Sequence, residues 1–515
     1  MYFISQARHN PKTGQDDRYY RLKESYRDVL GKVHSYILLN VGFIEGLKSS
    51  EIGQVAKGLT YMSEHLDNET LLGKRLAHYS PIVQEHIHKY WRQIKEAGKI
   101  DVAKKTLDDA RSKARNFVDL DTVEHTDARE IGAENLCLQA LKQLKFDTFL
   151  RTQGWSEQKI ETALAHLIVR TIYAPSEHKS LRIMDENSAA CELITKSPNA
   201  PTPSKRAIYD VAPELHKLKD QLERHLCQTT DDLFNLTNRI MIFDLTNFFF
   251  EGRKEGSTKA QFGRSKEKRT DCKLVVLALC VNAEGFIRYS SILEGNTADP
   301  MSLPDMIENL IAKNPVSSNP DEKVLVVLDA GISTEENLQL IKDKGYNYLC
   351  VSRTRLKNYE LSPDKQTVIV HDCKQREIKL RANIKTLDEK TTWDYYNLIR
   401  EIESTNRQLK TDLQLRPIYH QRDDNSDAHL FFGLLAYWVV NTIRYQLKRQ
   451  GVNHYWTEIV RIMSTQKAVT MEATNALGER VRMRVCSRPT EKAARIYKSL
   501  GYSNMPFRRM RIEDE

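Results

Sequence analysis

Between Ile240 and Arg353 the sequence alternates short apolar runs with amphipathic stretches, and this restricts the fold more than any other feature of the chain. Three strand candidates come first: IMIFDLTNFFF from Ile240, CKLVVLALCVN from Cys272 and FIRYSSILEG from Phe286. A helical stretch follows, MSLPDMIENLIAK, then a strand, KVLVVLDAG, a helix, TEENLQLIKDKG, and a strand, YNYLCVSR. Runs such as KVLVVL are apolar at successive positions, so both faces of the strand must be covered. Strands and helices in this order predict an α/β fold, a mixed sheet flanked by helices. A short strand-rich insertion at about 355–390 and a helix at about 394–412 come next. The apolar stretch from Ala428 to Ile443 is shorter than the roughly 20 residues of a spanning helix. It therefore predicts a buried core helix and no membrane partner.

The preceding part has a different texture. RYYRLKESYRDVLGKVHSYILLNVG, residues 18–42, predicts a hairpin turning at VLGK. Residues 43 to about 235 read as mostly helical, with ENLCLQALKQLKFDTFL and SEQKIETALAHLIVRTIY apolar at three-to-four spacing and Ser156 as an N-cap. SPNAPTPSKRAIYD, rich in Pro and Ser, reads as a joint. A chain of 515 residues exceeds one ordinary core. Four segments are expected: a β-hairpin and helix over 1–60, a helical region over 61–235, the α/β domain over 236–450, and a helical C-terminal segment over 451–515.

Hydrophobic residues make up 40% and charged residues 29%, which is a globular composition. The net charge of +9 suits a polyanionic partner and equally an ordinary basic enzyme surface. Eight cysteines show no zinc-ligand or redox spacing, so reduced thiols in a cytoplasmic protein are expected. The N-terminus has no export-signal pattern, and no phosphate-loop or dinucleotide fingerprint occurs, so a nucleotide cofactor is not expected.

Asp244 interrupts an apolar run, and burying an unpaired carboxylate is expensive. Asp329 ends KVLVVLDAG, at the carboxyl end of a strand, where open α/β sheets place their chemistry. Before Ala330 and Gly331 an Asp serves equally well to close a strand. If the first and fourth strands are neighbours, the two acids converge and repel unless a cation sits between them. Mg²⁺ takes oxygen ligands, keeps several waters and needs few carboxylates. On the helix expected near 394–412, Glu403, Arg407 and Lys410 share one face at i, i+4 and i+7. That face offers an acid for metal and two cations for phosphates; taken alone, it also describes an exposed helix with an ordinary ion pair.

In combination these residues resemble a known family. Tyr396, Glu403 and Lys410 fit the spacing of a Tyr, two residues, Arg, three residues, Glu, six residues, Lys signature. FDLTNFFFEG, FGRSKEKRTD, EGNTADP, VLDAGIS, RPIYH and AHL match beside it, and YYRLKESYRD, LLNVG and IVRTIYAPSE match towards the N-terminus. The chain resembles bacterial insertion-sequence transposases of the DDE class over most of its length, most densely over about 236–445. The signature arginine falls at Ile399; Arg400 stands one place on, about 100° around a helix, and Arg407 is an alternative.

The resemblance implies a ribonuclease H-like core, with Asp244, Asp329 and Glu403 as catalytic and metal-holding residues. It implies two Mg²⁺ ions, with Mn²⁺ as a substitute, and double-stranded DNA as partner, both the terminal inverted repeats and the target. A homodimer on DNA, end recognition by residues before about 235, and a bacterial, nucleoid-associated location follow from it as well. DNA contacts are expected from Tyr396, Arg400, Arg407 and Lys410. The loop GSTKAQFGRSKEKRTD adds Lys259, Arg264, Lys266, Lys268 and Arg269, although such a run also suits a solvated hairpin. Asp299 before Pro300 reads as a helix N-cap, and His429 as a core histidine. A nuclease that cuts without joining, or a catalytically silent DNA-binding derivative, is the alternative function.

Overall fold

The structure is a computed structural model. It describes residues 1–27, 32–65, 76–100, 108, 111–198, 200–263, 269–297, 299–313, 323–329, 331–351, 367–371, 377–382, 394, 397 and 399–512. The chain divides into two compact units, residues 1–125 with 471–482, and residues 126–470 with 483–515.

In the first unit, β1 (Tyr2–His9), β2 (Asp16–Arg27) and β3 (Val33–Phe43) form an antiparallel sheet in that order. The pairing of Arg27 with Val33 is the hairpin expected at 18–42; most of its VLGK turn lies outside the described residues. β1 is an addition, because YFISQARH alternates too loosely to be read as a strand without its partner. Helices α1 (Ser49–Glu64) and α2 (Pro81–Glu96) follow. Their apolar stripes, with Val55, Leu59, Val83 and Ile87, bury Leu22 and Leu38 of the sheet.

β4 (Glu124–Glu130) leads into a run of helices: α3 (Gly132–Gln143), α4 (Phe146–Thr152), α5 (Glu157–Tyr173), α6 (Glu177–Glu186), α7 (Ala190–Thr195), α8 (Lys205–Lys217) and α9 (Lys219–Phe234). Ser156, Ser176 and Ser204 each accept a hydrogen bond from the third backbone N–H of the helix they open. The Pro- and Ser-rich stretch read as a joint runs on after Ser204 into the first residues of α8, so it links two helices within one unit.

The sheet that follows holds β5 (Ile240–Phe249), β6 (Leu274–Asn282), β7 (Ile287–Glu294), β8 (Leu325–Leu328) and β9 (Asn347–Val351). Helix α10 (Leu303–Lys313) precedes β8, and α11 (Glu335–Asp343) joins β8 to β9. A 3₁₀ turn, Asp299–Ser302, precedes α10, so Asp299 lies inside that turn. The hairpin of β10 (Thr367–His371) and β11 (Glu377–Ala382) is the strand-rich insertion, and it extends the edge beyond β9. The order is β10-β11-β9-β8-β5-β6-β7. β5, β6 and β7 are antiparallel neighbours, whereas β5, β8 and β9 run parallel, which is the ribonuclease H-like arrangement.

After the sheet come α12 (Ile399–Arg407), a π turn over Gln408–Asp412, and α13 (Asp423–Arg449). The last elements are α14 (Trp456–Met463), β12 (Lys467–Thr474), β13 (Arg480–Cys486), α15 (Glu491–Leu500) and β14 (Met510–Ile512). The helical C-terminal segment expected over 451–515 is thus corrected: its strands join a four-stranded sheet in order β14-β13-β12-β4. KAVTMEAT and RVRMRVC carry the period-two alternation of strands, but over only a few residues each.

Alternate side chains of β5 enter different cores. Met241, Phe243 and Leu245 pack with Leu303, Met306, Leu338 and Ile341 of α10 and α11. Ile242 and Phe248 face the other way, into a core shared with α3, α5 and α13. That shared core explains why the expected boundary near 235 separates no compact units. α13 is apolar on all sides, from Leu430 through Trp438 to Ile443, and is buried accordingly. Among the described residues no helix is long and apolar enough to cross a membrane.

One buried ion pair ties the C-terminal strands into this unit. Arg484, 1% exposed, meets Glu192 of α7 through two hydrogen bonds of 2.7 and 2.9 Å. Glu192→Ala strips the buried guanidinium of that partner and leaves it Asp127. The expected cost is about 3 kcal/mol, read as a lower urea midpoint at unchanged slope.

Candidate active site

The register of two parallel strands sets the site. β5 and β8 are paired so that Phe243 lies opposite Leu328. The next residue on each strand is an acid, Asp244 on β5 and Asp329 just past the end of β8. Glu403 comes from α12. All three line one cleft of about 410 Å³, together with Phe243, Thr246, Ile402, Asn406, Arg407, Lys410, Thr411 and Arg416. Asp329 and Glu403 are exposed and Asp244 is half-buried. Their oxygens are not gathered within 4.8 Å of one another as a trio; they face a shared, open space.

Asn406 is a site residue that sequence reasoning passed over. Its amide donates to Asp244 Oδ2 at 2.9 Å, which fixes the orientation of that carboxylate. Asn406 follows Glu403 by three residues, one helical turn, and that spacing is the signal that could have found it. α12 is itself anchored: Thr405 bonds the Tyr437 hydroxyl at 2.8 Å, and Tyr437 donates to the Gly285 carbonyl at 2.7 Å.

The cations of the cleft rest on rings. Lys410 lies over Phe248 at 5.9 Å, Arg416 over Phe249 at 5.8 Å, and Arg407 over Tyr455 at 5.6 Å. The helix expected to run to about 412 changes to a π turn after Arg407, yet Lys410 still lines the cleft. Such turns recur at functional sites because they re-aim side chains.

The other expected DNA contacts divide. Tyr396, Arg264, Lys266 and Lys268 lie outside the described residues, and Arg400 lies on α12. Lys259 is paired with Asp427 of α13 at 2.5 Å, and Arg269 with Asp271 while it covers the Phe249 ring at 4.7 Å. The root of the basic loop is therefore bolted to α13. Lys254, 1% exposed, donates to the Gln421 carbonyl at 2.8 Å and to Ser426 Oγ at 3.0 Å, and pairs with Asp423 at 3.3 Å. Asp423 in turn accepts from Ser257 Oγ and from the backbone N–H groups of Thr258 and Lys259.

The cleft and its strands coincide with a known domain. Residues 236–439 match the family model of the transposase DDE domain. The chain carries a transposase DDE domain. Such a domain is a polynucleotidyl transferase module that works on DNA with divalent metal, and this chain is an enzyme of that kind. Its matched residues run from just before β5 into α13, and include Asp244, Asp329 and Glu403. Three carboxylates opening on solvent are a donor set suited to a hard divalent ion.

Solved structures similar to the chain include the Mos1 mariner paired-end complex with Mn, at 12% identity, covering 59% of this chain and 78% of that one, with a TM-score of 0.16. The Mos1 transposase paired-end complex with the left transposon end is 11% identical, covers 70% and 97%, and has a TM-score of 0.17. A pre-cleavage Mos1 transpososome is 12% identical, covers 79% and 99%, and has a TM-score of 0.17. At these scores the family match carries the assignment. No curated protein sequence matches the chain.

The clamp at the loop root gives a pH prediction. Burial would raise the Asp423 carboxyl, but bonds from Ser257, Lys259, Thr258 and Lys254 outweigh it and hold the group at about 2. A depressed folded-state pKa stabilises above the unfolded value near 4, and that contribution is lost as pH falls towards about 2. Asp423→Asn should lose roughly 2 kcal/mol at neutral pH and show a flatter stability profile between about pH 4 and 2 in chemical denaturation.

Proposed function

We propose that this DDE transposase cuts DNA at the ends of a mobile element and joins those ends to target DNA, with Asp244, Asp329 and Glu403 as its catalytic and metal-holding residues. The observation that carries this reading is the register of β5 against β8, which sets two acids side by side, with Glu403 on the same cleft. Two Mg²⁺ ions held by these carboxylates would supply an acidified water and charge stabilisation at the leaving oxygen, and Mn²⁺ suits the same donors.

The chain's own groups do the positioning. Asn406 holds the Asp244 carboxylate in one orientation. Arg407, Lys410 and Arg416 bring positive charge to the rim, where the scissile phosphate and its neighbours would lie. In the first reaction water attacks the phosphorus at the element's end, the P–O3′ bond breaks, and a 3′-hydroxyl is released. In the second that 3′-hydroxyl attacks a target phosphodiester and displaces another 3′-oxygen. Each step exchanges one phosphoester bond, so no nucleotide need be consumed. End recognition falls to residues before about 235, in a homodimer that holds both ends; the basic loop between Lys259 and Arg269, whose two ends are engaged by Asp427 and Asp271, adds backbone contacts.

The test uses duplexes carrying the DNA that flanks the reading frame, with Mg²⁺. The wild-type chain should yield both nicked ends and strand-transfer products. Asp329→Asn and Glu403→Gln should lower cleavage by about 10³-fold or more while still retarding the duplex in a gel. Cleavage near the wild-type rate in either variant contradicts the assignment, and cleavage without joined products makes the chain a nuclease.

A further inference from the structure

Glu177, His420 and His429 form a second polar cluster, and none of them lines the acid cleft. Glu177 is the first residue of α6, His420 lies in the loop ahead of α13, and His429 is on the second turn of α13. Among the described residues this is the one group of three His, Cys, Asp or Glu whose ligand atoms all lie within 4.8 Å of one another. Glu177 Oε1 is 3.3 Å from His420 Nε2 and 3.8 Å from His429 Nδ1. The two rings are 5.1 Å apart and tilted by 53°, so they do not stack. A tetrahedral ion with zinc-like bonds holds its ligands about 3.3–3.4 Å apart, so closure onto one ion needs shifts on the order of 1 Å.

A second observation points the same way. His429 was expected to be a satisfied core histidine, yet the nitrogen it turns to the cluster, Nδ1, stands 3.8 Å from Glu177 Oε1, too far for a hydrogen bond. The three side chains are 14–23% exposed, which confines them and still leaves an approach for a fourth ligand. The cation facing the group is Arg170, whose guanidinium donates to the Pro175 carbonyl at 2.8 Å and lies near Glu177 and His429. Two imidazoles, one carboxylate and a nearby positive charge disfavour a hard ion such as Mg²⁺ and favour a borderline one.

We propose that Glu177, His420 and His429 bind one divalent transition-metal ion of the zinc class, with water in the fourth position, apart from the catalytic cleft. The ion is a staple between α6 and the loop that joins α12 to α13. That loop also rides on the end of β5: Glu251 N–H donates to the Ile418 carbonyl and Ile418 N–H to the Phe249 carbonyl, both at 2.9 Å. Arg416, which lines the cleft, precedes His420 by four residues. The staple therefore holds a wall of the cleft through the loop and takes no part in the chemistry.

The test uses the full chain stripped with chelator, then titrated with Zn²⁺ against a chromophoric chelator in excess Mg²⁺, with Co²⁺ absorption as a second readout. One equivalent of Zn²⁺ per chain is expected, with visible cobalt bands of a four- or five-coordinate N/O site. Affinity should fall at least tenfold in His420→Ala and in Glu177→Gln, and stay unchanged in Glu403→Gln. His420 is on a loop and is the more exposed ring, so its variant should keep the wild-type circular-dichroism spectrum. Failure to bind an equivalent of Zn²⁺, equal binding in His420→Ala and wild type, or loss in Glu403→Gln instead would each overturn the proposal. The outcome is independent of DNA cleavage, so it leaves the reading of the acid cleft to its own test.

Discussion

Everything in the catalytic unit depends on one pairing, β8 laid parallel against β5 with Leu328 opposite Phe243. A one-residue slip would turn the side chains of β8 to the opposite faces and take Asp329 away from Asp244. The slip is prevented from both sides. Val326 and Leu328 belong to the core under α10 and α11, and Val327 to the opposite core, so a shifted strand would mismatch both. The same apolar burial that stabilises the sheet therefore fixes the distance between two like charges at its edge. A divalent ion held between them, as proposed above, would resolve the repulsion and give the Asp inside an otherwise apolar strand its reason.

The third acid needs a different support, because it comes from a helix far along the chain. Thr405, Tyr437 and the Gly285 carbonyl form a buried relay that fastens α12 to α13 and to the turn before β7. Asn406 then couples α12 directly to Asp244. Lys254 and Asp423 do the same at the other end of α13, where the basic loop begins. α13, buried on all sides, is the common post to which the cleft, the loop root and the histidine cluster are tied. Rigid elements of this kind hold reacting groups more tightly than loops can.

The sheet from β5 to β9 was legible chiefly through β6 and β8, which are buried along their whole length and so read as apolar runs. The helices capped by Ser156 and Ser204 were legible from periodicity and composition. β1, β4 and β12 to β14 were not, since each is short, half-exposed and identifiable only once its partner strand is placed. Asp244 and Asp329 stood out as charges at apolar positions, and family resemblance pointed to Glu403. Asn406 did not stand out, because a neutral amide on a polar helix face has no local signature. Lys259 and Arg269 read as cations free for DNA, but pairing with Asp427 and with Asp271 depends on tertiary placement or on side-chain geometry that spacing alone does not fix. His429 read as core for the same reason: its partners lie in α6 and in the loop before α13.

The most direct test of the central claim is whether one metal site touches all three acidic segments at once. Fe²⁺ loaded into the chain in place of Mg²⁺, with ascorbate and peroxide, generates hydroxyl radicals that cut the polypeptide next to the ion. Peptide mapping should place cuts beside Asp244, Asp329 and Glu403 together, all suppressed by added Mg²⁺. Cuts beside only one of these residues, or none suppressed by Mg²⁺, would contradict the account.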